Sequence, residues 1–328
     1  MNSKIVPASQ DTQGQLVLPG GHSWPKLIVG AGEAATNRYL EFFAANIRNK
    51  NTRAAYLRAC NRFLNWCESV QLPHLEEIRP VHVASYVEMF EASPPTVKQH
   101  LAAIRMLFDW MVIGQTVPFN PAAAVRGPRH VVKTGKTPAL TAKEAAELLE
   151  SIDTTHIVGL RDRALLSTLV YSFARVSAVV QMQVKDYFAM GKRYWFRLHE
   201  KGGKYHEVPA HHIAEEWLDR YLFVAGIGEE KDTPLFRSTL GKTKQLTDRP
   251  MARQDVYRMI RRRAKDAEFD AELCCHTFRA TGITVFLDNG GSLENAQAIA
   301  AHESPRTTKL YDRTADAIKL EEIERVRL

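Results

Sequence analysis

Two stretches of helical periodicity are separated by "GQTVPFNPAAAVRGPRHVVKTGKTPALT", in which Pro118, Pro121, Pro128 and Pro138 recur too closely for a regular element to persist. Each proline removes a backbone donor and fixes φ, so this stretch runs extended and divides the chain of 328 residues. With 45% hydrophobic residues, both sides can bury a core of their own. The cations Arg126, Arg129, Lys133 and Lys136 make the interruption, placed at residues 118–139, a basic linker suited to phosphate contacts. The expected organisation is a helical domain over 35–117 and a second domain over 140–328.

Residues 1–34 are rich in Gly, Pro, Ser and Gln without a period and read as a flexible arm. Beyond them, "NTRAAYLRACNRFLNWCESV" repeats Tyr56, Ala59, Cys60, Phe63, Leu64 and Cys67 at three and four residues, the spacing of one helical face. Thr52 is its expected cap. Arg53, Arg58 and Arg62 stand off that face and are candidate phosphate contacts, although a plain solvated face has the same pattern. A second helix is expected from about Pro80 and a third from about Pro95.

The second domain opens on Thr141 and Glu144, spaced as a capping box. Its expected class is mainly α with a small β-hairpin: β-forming residues around Trp195 and Leu198, a turn at Lys201-Gly202-Gly203-Lys204, and a return from Tyr205 to Val208. Helices are expected around 213–224, 253–267, 276–287 and 293–301. The segment from Arg249 to Lys265 holds seven cationic residues. Among them Arg253, Arg261 and Arg262 are candidate DNA contacts on a basic ridge.

A net charge of +7 and a pI of about 9.2 favour a polyanionic partner. Cys60, Cys67, Cys274 and Cys275 form neither a CxxC pair nor a zinc pattern, and Cys60 and Cys67 fall on the apolar face of a helix. No apolar run reaches membrane-spanning length, and the first residues lack the apolar centre of a signal peptide. The expected compartment is a reducing cytoplasm, with the protein on the nucleoid when bound to DNA.

Charge that grows on phosphoryl oxygens can be met by carboxylate-held metal ions or by fixed guanidiniums. The sequence offers no compact carboxylate motif for magnesium, but it does offer arginines in suggestive settings. Arg175 follows the apolar run 164–173, and "CHTFRATG" sets His276 and Arg279 one helical turn apart. "IAAHESPRTTKLYDR" then places His302 after a helix and Tyr311 nine residues later. Taken singly, Arg175 reads as an ion-paired structural residue and His302 as a satisfied histidine.

In this order and spacing the set resembles the phage integrase family, the tyrosine site-specific recombinases, over roughly residues 37–328. The resemblance includes "NPA" at Asn120–Ala122 and the H-x-x-R pair. It implies a two-domain architecture, a helical core-binding domain followed by a mostly helical catalytic domain. It also implies site-specific DNA recombination through a 3′-phosphotyrosyl intermediate, serving a mobile element, with neither ATP nor metal required. Arg175 and Arg279 match the phosphate clamp, Lys201 the hairpin lysine that protonates the departing 5′ oxygen (Lys204 if the register slips), His276 the acid/base or orienting histidine, His302 a phosphate donor and Tyr311 the nucleophile.

The implied partners are duplex DNA with paired inverted arms and, in the synapse, a homotetramer. The tetramer would be held by docking of the C-terminal segment, whose Ile318, Leu320, Ile323 and Val326 form an apolar stripe. The sequence departs from the family's pattern in two places: Phe173-Ala174 precede Arg175 where Gly-Leu is common, and Ala178 stands where an acidic residue is common. A type IB topoisomerase shares the nucleophile and the arginines, and a non-catalytic DNA-binding regulator shares the basic surface. The separate helical domain weighs against the former and the ordered set of six side chains against the latter.

Overall fold

In the computed structural model, residues 22–130, 135, 137–200, 205–241, 243–269 and 272–312 are described, with the strand residues 9–10 and 16–18. The chain divides into two units, Met1–Val131 and Val132–Leu328.

The first unit begins with a small antiparallel sheet of β1 (Ser9–Gln10), β2 (Leu16–Leu18) and β3 (His22–Ser23). Helices α1 (Lys26–Gly30) and α2 (Glu33–Glu41) follow, the latter running into a π-helical turn at Phe42–Asn46. Then come α3 (Lys50–Ser69), α4 (Pro80–Met89) and α5 (Pro94–Ile113). The face expected on α3 is the buried one: Ala59, Cys60, Phe63, Leu64 and Cys67 share a core with Leu101, Ile104, Leu107 and Phe108 of α5. Cys60 and Cys67 are core thiols, burial pushing Cys67 up to about 12 and Cys60 higher still.

Two boundaries move. Asn49, not Thr52, caps α3, its side chain accepting from the N–H groups of Asn51 (2.9 Å) and Thr52 (3.1 Å). The packed chain begins inside the expected 1–34 arm, because Trp24, Leu27 and Ile28 are buried in the same core. A helix of five residues that ends on Gly30 is too short to display a period. Arg38 ties α2 to α5, its guanidinium 3.7 Å from the ring centre of Trp110 while its Nε donates to the Trp110 carbonyl at 3.1 Å.

In the second unit, α6 (Ala142–Glu150) starts on the expected capping box, Glu144 N donating to Thr141 Oγ1 at 3.2 Å and Thr141 N to Glu144 Oε2 at 2.7 Å. Helix α7 (Ile157–Tyr171) is buried on nearly every side, which is why its sequence reads as an apolar run without a stripe. After the single turn α8 (Val176–Val179) come β4 (Tyr187–Met190), β5 (Arg193–His199) and β6 (Tyr205–Pro209), then α9 (His212–Ala225). A two-stranded pair, β7 (Arg237–Thr239) and β8 (Leu246–Pro250), leads to α10 (Arg253–Asp266), α11 (Cys275–Asp288), α12 (Leu293–Ile299) and α13 (Pro305–Lys309).

The expected hairpin is β5–β6, with Phe196 opposite Val208 and both buried against the core. Strand β4 adds a third member, in the order β4-β5-β6. Helix α11 lies close against α7 at Gly282, where an added Cβ would fall 2.1 Å from the Val170 carbonyl oxygen. Among the described residues, no helix is long and apolar enough to cross a membrane.

The basic ridge of α10 is narrower than expected. Asp162 is fully buried and takes Arg161 at 2.6 Å, Arg263 at 2.8 Å and Arg262 at 3.4 Å. The helix buries Val256, Met259, Ile260 and Ala264, and this rotation carries Arg263 inward and draws Arg262 toward the carboxylate. Arg253, Arg261 and Arg262 stay exposed.

Candidate active site

Helix α7 ends at Tyr171, and the next turn is unusual, because Phe173 takes a left-handed backbone (φ 52°) that bulky residues avoid. The chain reverses there and delivers Arg175 as the N-cap of α8. Arg175 keeps 36% of its side chain exposed, and its Nη1 donates to Glu200 Oε2 at 2.5 Å. Glu200 follows the last residue of β5, and its side chain is only 9% exposed.

Arg279 is on the first turns of α11 and is buried. Its Nη1 donates to the Phe173 carbonyl and its Nη2 to the Ala300 carbonyl at 2.6 Å. Ala301, beside the second acceptor, is also left-handed at φ 47°. One carbonyl that seats this guanidinium therefore belongs to a left-handed residue and the other directly precedes one. Desolvation, and then the neighbouring Arg175, lower Arg279 to about 10, while Tyr311 and Glu200 oppose the shift; it remains a cation at neutral pH.

His276 begins the same helix, with its ring at the surface. Desolvation, then Arg279 and Arg175, hold it below the ordinary imidazole range. His302 is buried, its Nδ1 hydrogen-bonded to Thr308 Oγ1 at 2.8 Å, which leaves Nε2 for another partner. Burial and the same two arginines bring it down to about 4, so it is neutral at pH 7.

Tyr311 follows α13 and lies parallel to His302, ring centres 5.9 Å apart and planes at 6°. Its ring packs on a small cluster of Phe173, Ile283, Ala296 and Ala300, and it lies close enough to Arg279 to favour the charged guanidinium. Its backbone is pinned by Thr284, whose hydroxyl donates to the Tyr311 carbonyl at 3.3 Å. One residue earlier, the Leu310 carbonyl accepts from Gly135 N at 3.0 Å.

Arg175, His276, Arg279, His302 and Tyr311 thus meet in one unit, from segments far apart in the chain. Lys201 and its fallback Lys204 lie outside the described residues, as do Lys133, Lys136 and the C-terminal stripe from Ile318 to Val326.

The expected DNA contacts divide. Arg58, Arg126, Arg129, Arg253 and Arg261 are exposed, and Arg62 is exposed with its guanidinium 4.4 Å from the Phe90 ring centre. Arg53 is half-buried, its Nε and Nη2 donating to the Ile47 carbonyl at 3.0 and 2.9 Å. Arg262 reaches Asp162 at 3.4 Å yet keeps 54% of its side chain exposed, as Arg261 keeps 41% while reaching Glu272 at 3.5 Å. The sequence reading missed Glu200, although an acid directly before the hairpin lysine was its signal. It also missed Thr308 and the two seating carbonyls, which no residue type advertises.

Residues 138–317 match the phage integrase family, and residues 37–115 match the N-terminal SAM-like domain of phage integrases. The chain is similar to the tyrosine recombinase XerD of Corynebacterium glutamicum, 28% identical over 286 residues that cover 82% of this chain and 90% of the relative. It is also similar to the tyrosine recombinase XerC of Chlamydia muridarum, 28% identical over 254 residues, 77% of this chain and 74% of the relative.

Among solved structures it shares the fold of the XerH site-specific recombinase bound to palindromic difH substrate in a post-cleavage complex. That likeness has a TM-score of 0.66 and 20% identity, covering 84% of this chain and 79% of that one. It shares the fold equally with a lambda integrase dimer bound to a COC′ core site, at a TM-score of 0.67 and 18% identity over 87% and 79% of the two chains. All five gathered side chains fall inside the match over 138–317, and the chain belongs to the phage integrase family, the tyrosine site-specific recombinases.

Proposed function

We propose that Tyr311 is the nucleophile of a DNA strand transfer, acting in the same catalytic unit as the arginines that hold its target. The phenol oxygen loses its proton and bonds to phosphorus, and the 5′ oxygen of the broken strand leaves, protonated by Lys201. A 5′ hydroxyl from a partner duplex then attacks the phosphotyrosyl link and frees the tyrosine. Each broken bond is stored in a covalent link, so no ATP is consumed.

The observation that carries this reading is the setting of Arg279. A buried guanidinium has two of its donors fixed on backbone carbonyls, with the Tyr311 side chain and the charge of Arg175 beside it. A scissile phosphate bound by Arg175 and Arg279 would lie against the tyrosine. The planar fork of each arginine suits two phosphate oxygens, and positive charge fixed beforehand needs no reorganisation as the phosphorane forms. In the tautomer in which the Thr308 hydroxyl donates to Nδ1, His302 carries its proton on Nε2 and can offer a hydrogen bond to a phosphate oxygen. His276, at the surface edge, orients the attacking phenol or takes its proton.

The partner is duplex DNA with paired inverted arms, contacted by exposed Arg58, Arg62, Arg126, Arg129, Arg253, Arg261 and Arg262, and two duplexes require four protomers. The compartment is the cytoplasm, on the nucleoid. The test uses a nicked duplex bearing the arm enriched from a random-sequence duplex pool by binding to the full chain. Wild type should form a denaturant-resistant 3′-linked adduct, with or without chelator, and Tyr311→Phe should form none. An adduct in Tyr311→Phe, or its loss in chelator, refutes the reading.

A further inference from the structure

We propose that Glu200 is the positioning carboxylate of this site, holding Arg175 in its phosphate-binding pose from the end of a strand. The inference rests on the reading of Arg175 as a phosphate clamp. At position 178, where the resemblance leads one to expect an acid, the chain has a buried alanine. The carboxylate that reaches Arg175 comes instead from the sheet, at 2.5 Å.

The geometry favours orientation over obstruction. Glu200 engages Nη1 alone, leaving Nε and Nη2 of Arg175 free for phosphate oxygens. Glu200 is itself nearly enclosed, and it follows His199, which pairs with Tyr205 across the hairpin, so the carboxylate is fixed by β5. Arg175 begins at the N-cap of a single turn and is a third exposed, so without a partner its long side chain would be free to wander. Glu200 also opposes the loss of charge at Arg279, offsetting part of the mutual repulsion of the two arginines.

The experiment measures single-turnover adduct formation by full-length Glu200→Gln, Glu200→Asp and Glu200→Ala at saturating concentrations of the nicked duplex described above. Affinity for the uncleaved duplex is measured in a Tyr311→Phe background. A positioning role predicts that Glu200→Gln, which keeps shape and loses charge, slows cleavage roughly 10–100-fold. Its affinity should change less than about threefold, and Glu200→Asp should recover most of the rate.

A faster Glu200→Gln overturns the proposal by showing that the carboxylate blocks Arg175, and an unchanged rate overturns it outright. Equal losses in Glu200→Gln and Glu200→Asp, tracking a lower melting midpoint, also overturn it, by assigning Glu200 to the fold alone. An adduct in Tyr311→Phe would refute the nucleophile reading separately, whatever the Glu200 variants do.

Discussion

Acidification should weaken the catalytic unit through His302. Desolvation and two nearby arginines lower its folded-state value from 6.5 to about 4. The unfolded chain therefore binds a proton first as the pH falls, and stability is lost from about pH 6.5 downward until the folded ring also titrates near 4. A gap of about 2.5 units at 1.36 kcal/mol each gives a loss of about 2 kcal/mol by pH 5 and about 3 kcal/mol by pH 4. His276, lowered in the same direction, adds to the trend.

Urea titrations of wild type and His302→Asn, followed by hydrogen exchange of α7 and α11 amides, isolate the contribution, because every other titrating group is common to both. The wild type should lose about 2 kcal/mol more than the variant between pH 7 and pH 5. Parallel curves would refute the placement of His302 as a neutral imidazole beside two guanidiniums. A phosphate bound between those arginines would cancel part of their field, so duplex binding should raise the pH at which His302 titrates.

Two further outcomes follow from packing and buried charge. Gly282→Ala would place a methyl 2.1 Å from the Val170 carbonyl oxygen and 2.7 Å from Phe173 Cδ1. Backbone must shift, so a loss of about 1–3 kcal/mol is expected in denaturation, with adduct formation falling as the Phe173 carbonyl leaves Arg279; a melting midpoint equal to wild type would contradict it. Asp162→Asn removes the carboxylate shared by Arg161, Arg262 and Arg263 and leaves Arg161 buried without its counter-charge. A loss of about 3–5 kcal/mol is expected, and a change under about 1 kcal/mol would show that the cluster carries little of the fold.

Long elements announced themselves in the sequence. Helices α3 and α5 each run 20 residues, enough for the apolar spacing to repeat and for one face to stand out. The hairpin was legible from β-formers on both sides of a glycine turn. Strands β4 and β7, of four and three residues, are too short to establish an alternation, and five-residue α1 fails for the same reason. At the site, order and spacing singled out Arg175, His276, Arg279, His302 and Tyr311, which the fold brings together, but charge alone could not say which arginines face solvent. Arg53 and Arg58 look alike in the sequence, yet Arg53 bonds to the Ile47 carbonyl while Arg58 is exposed. The path of the chain just before α3, which brings the Ile47 carbonyl back onto Arg53, decides between them.

The seat of Arg279 is built from main-chain oxygens at Phe173 and Ala300, groups that every amino acid supplies. Substitution at either residue can leave the acceptor atom in place, so comparing side chains position by position would overlook this part of the machinery. Evolutionary constraint should register instead where the path of the chain is set, at tight spots such as Gly282. A designer who grafted only the five gathered side chains onto another scaffold would leave the second guanidinium without its cradle.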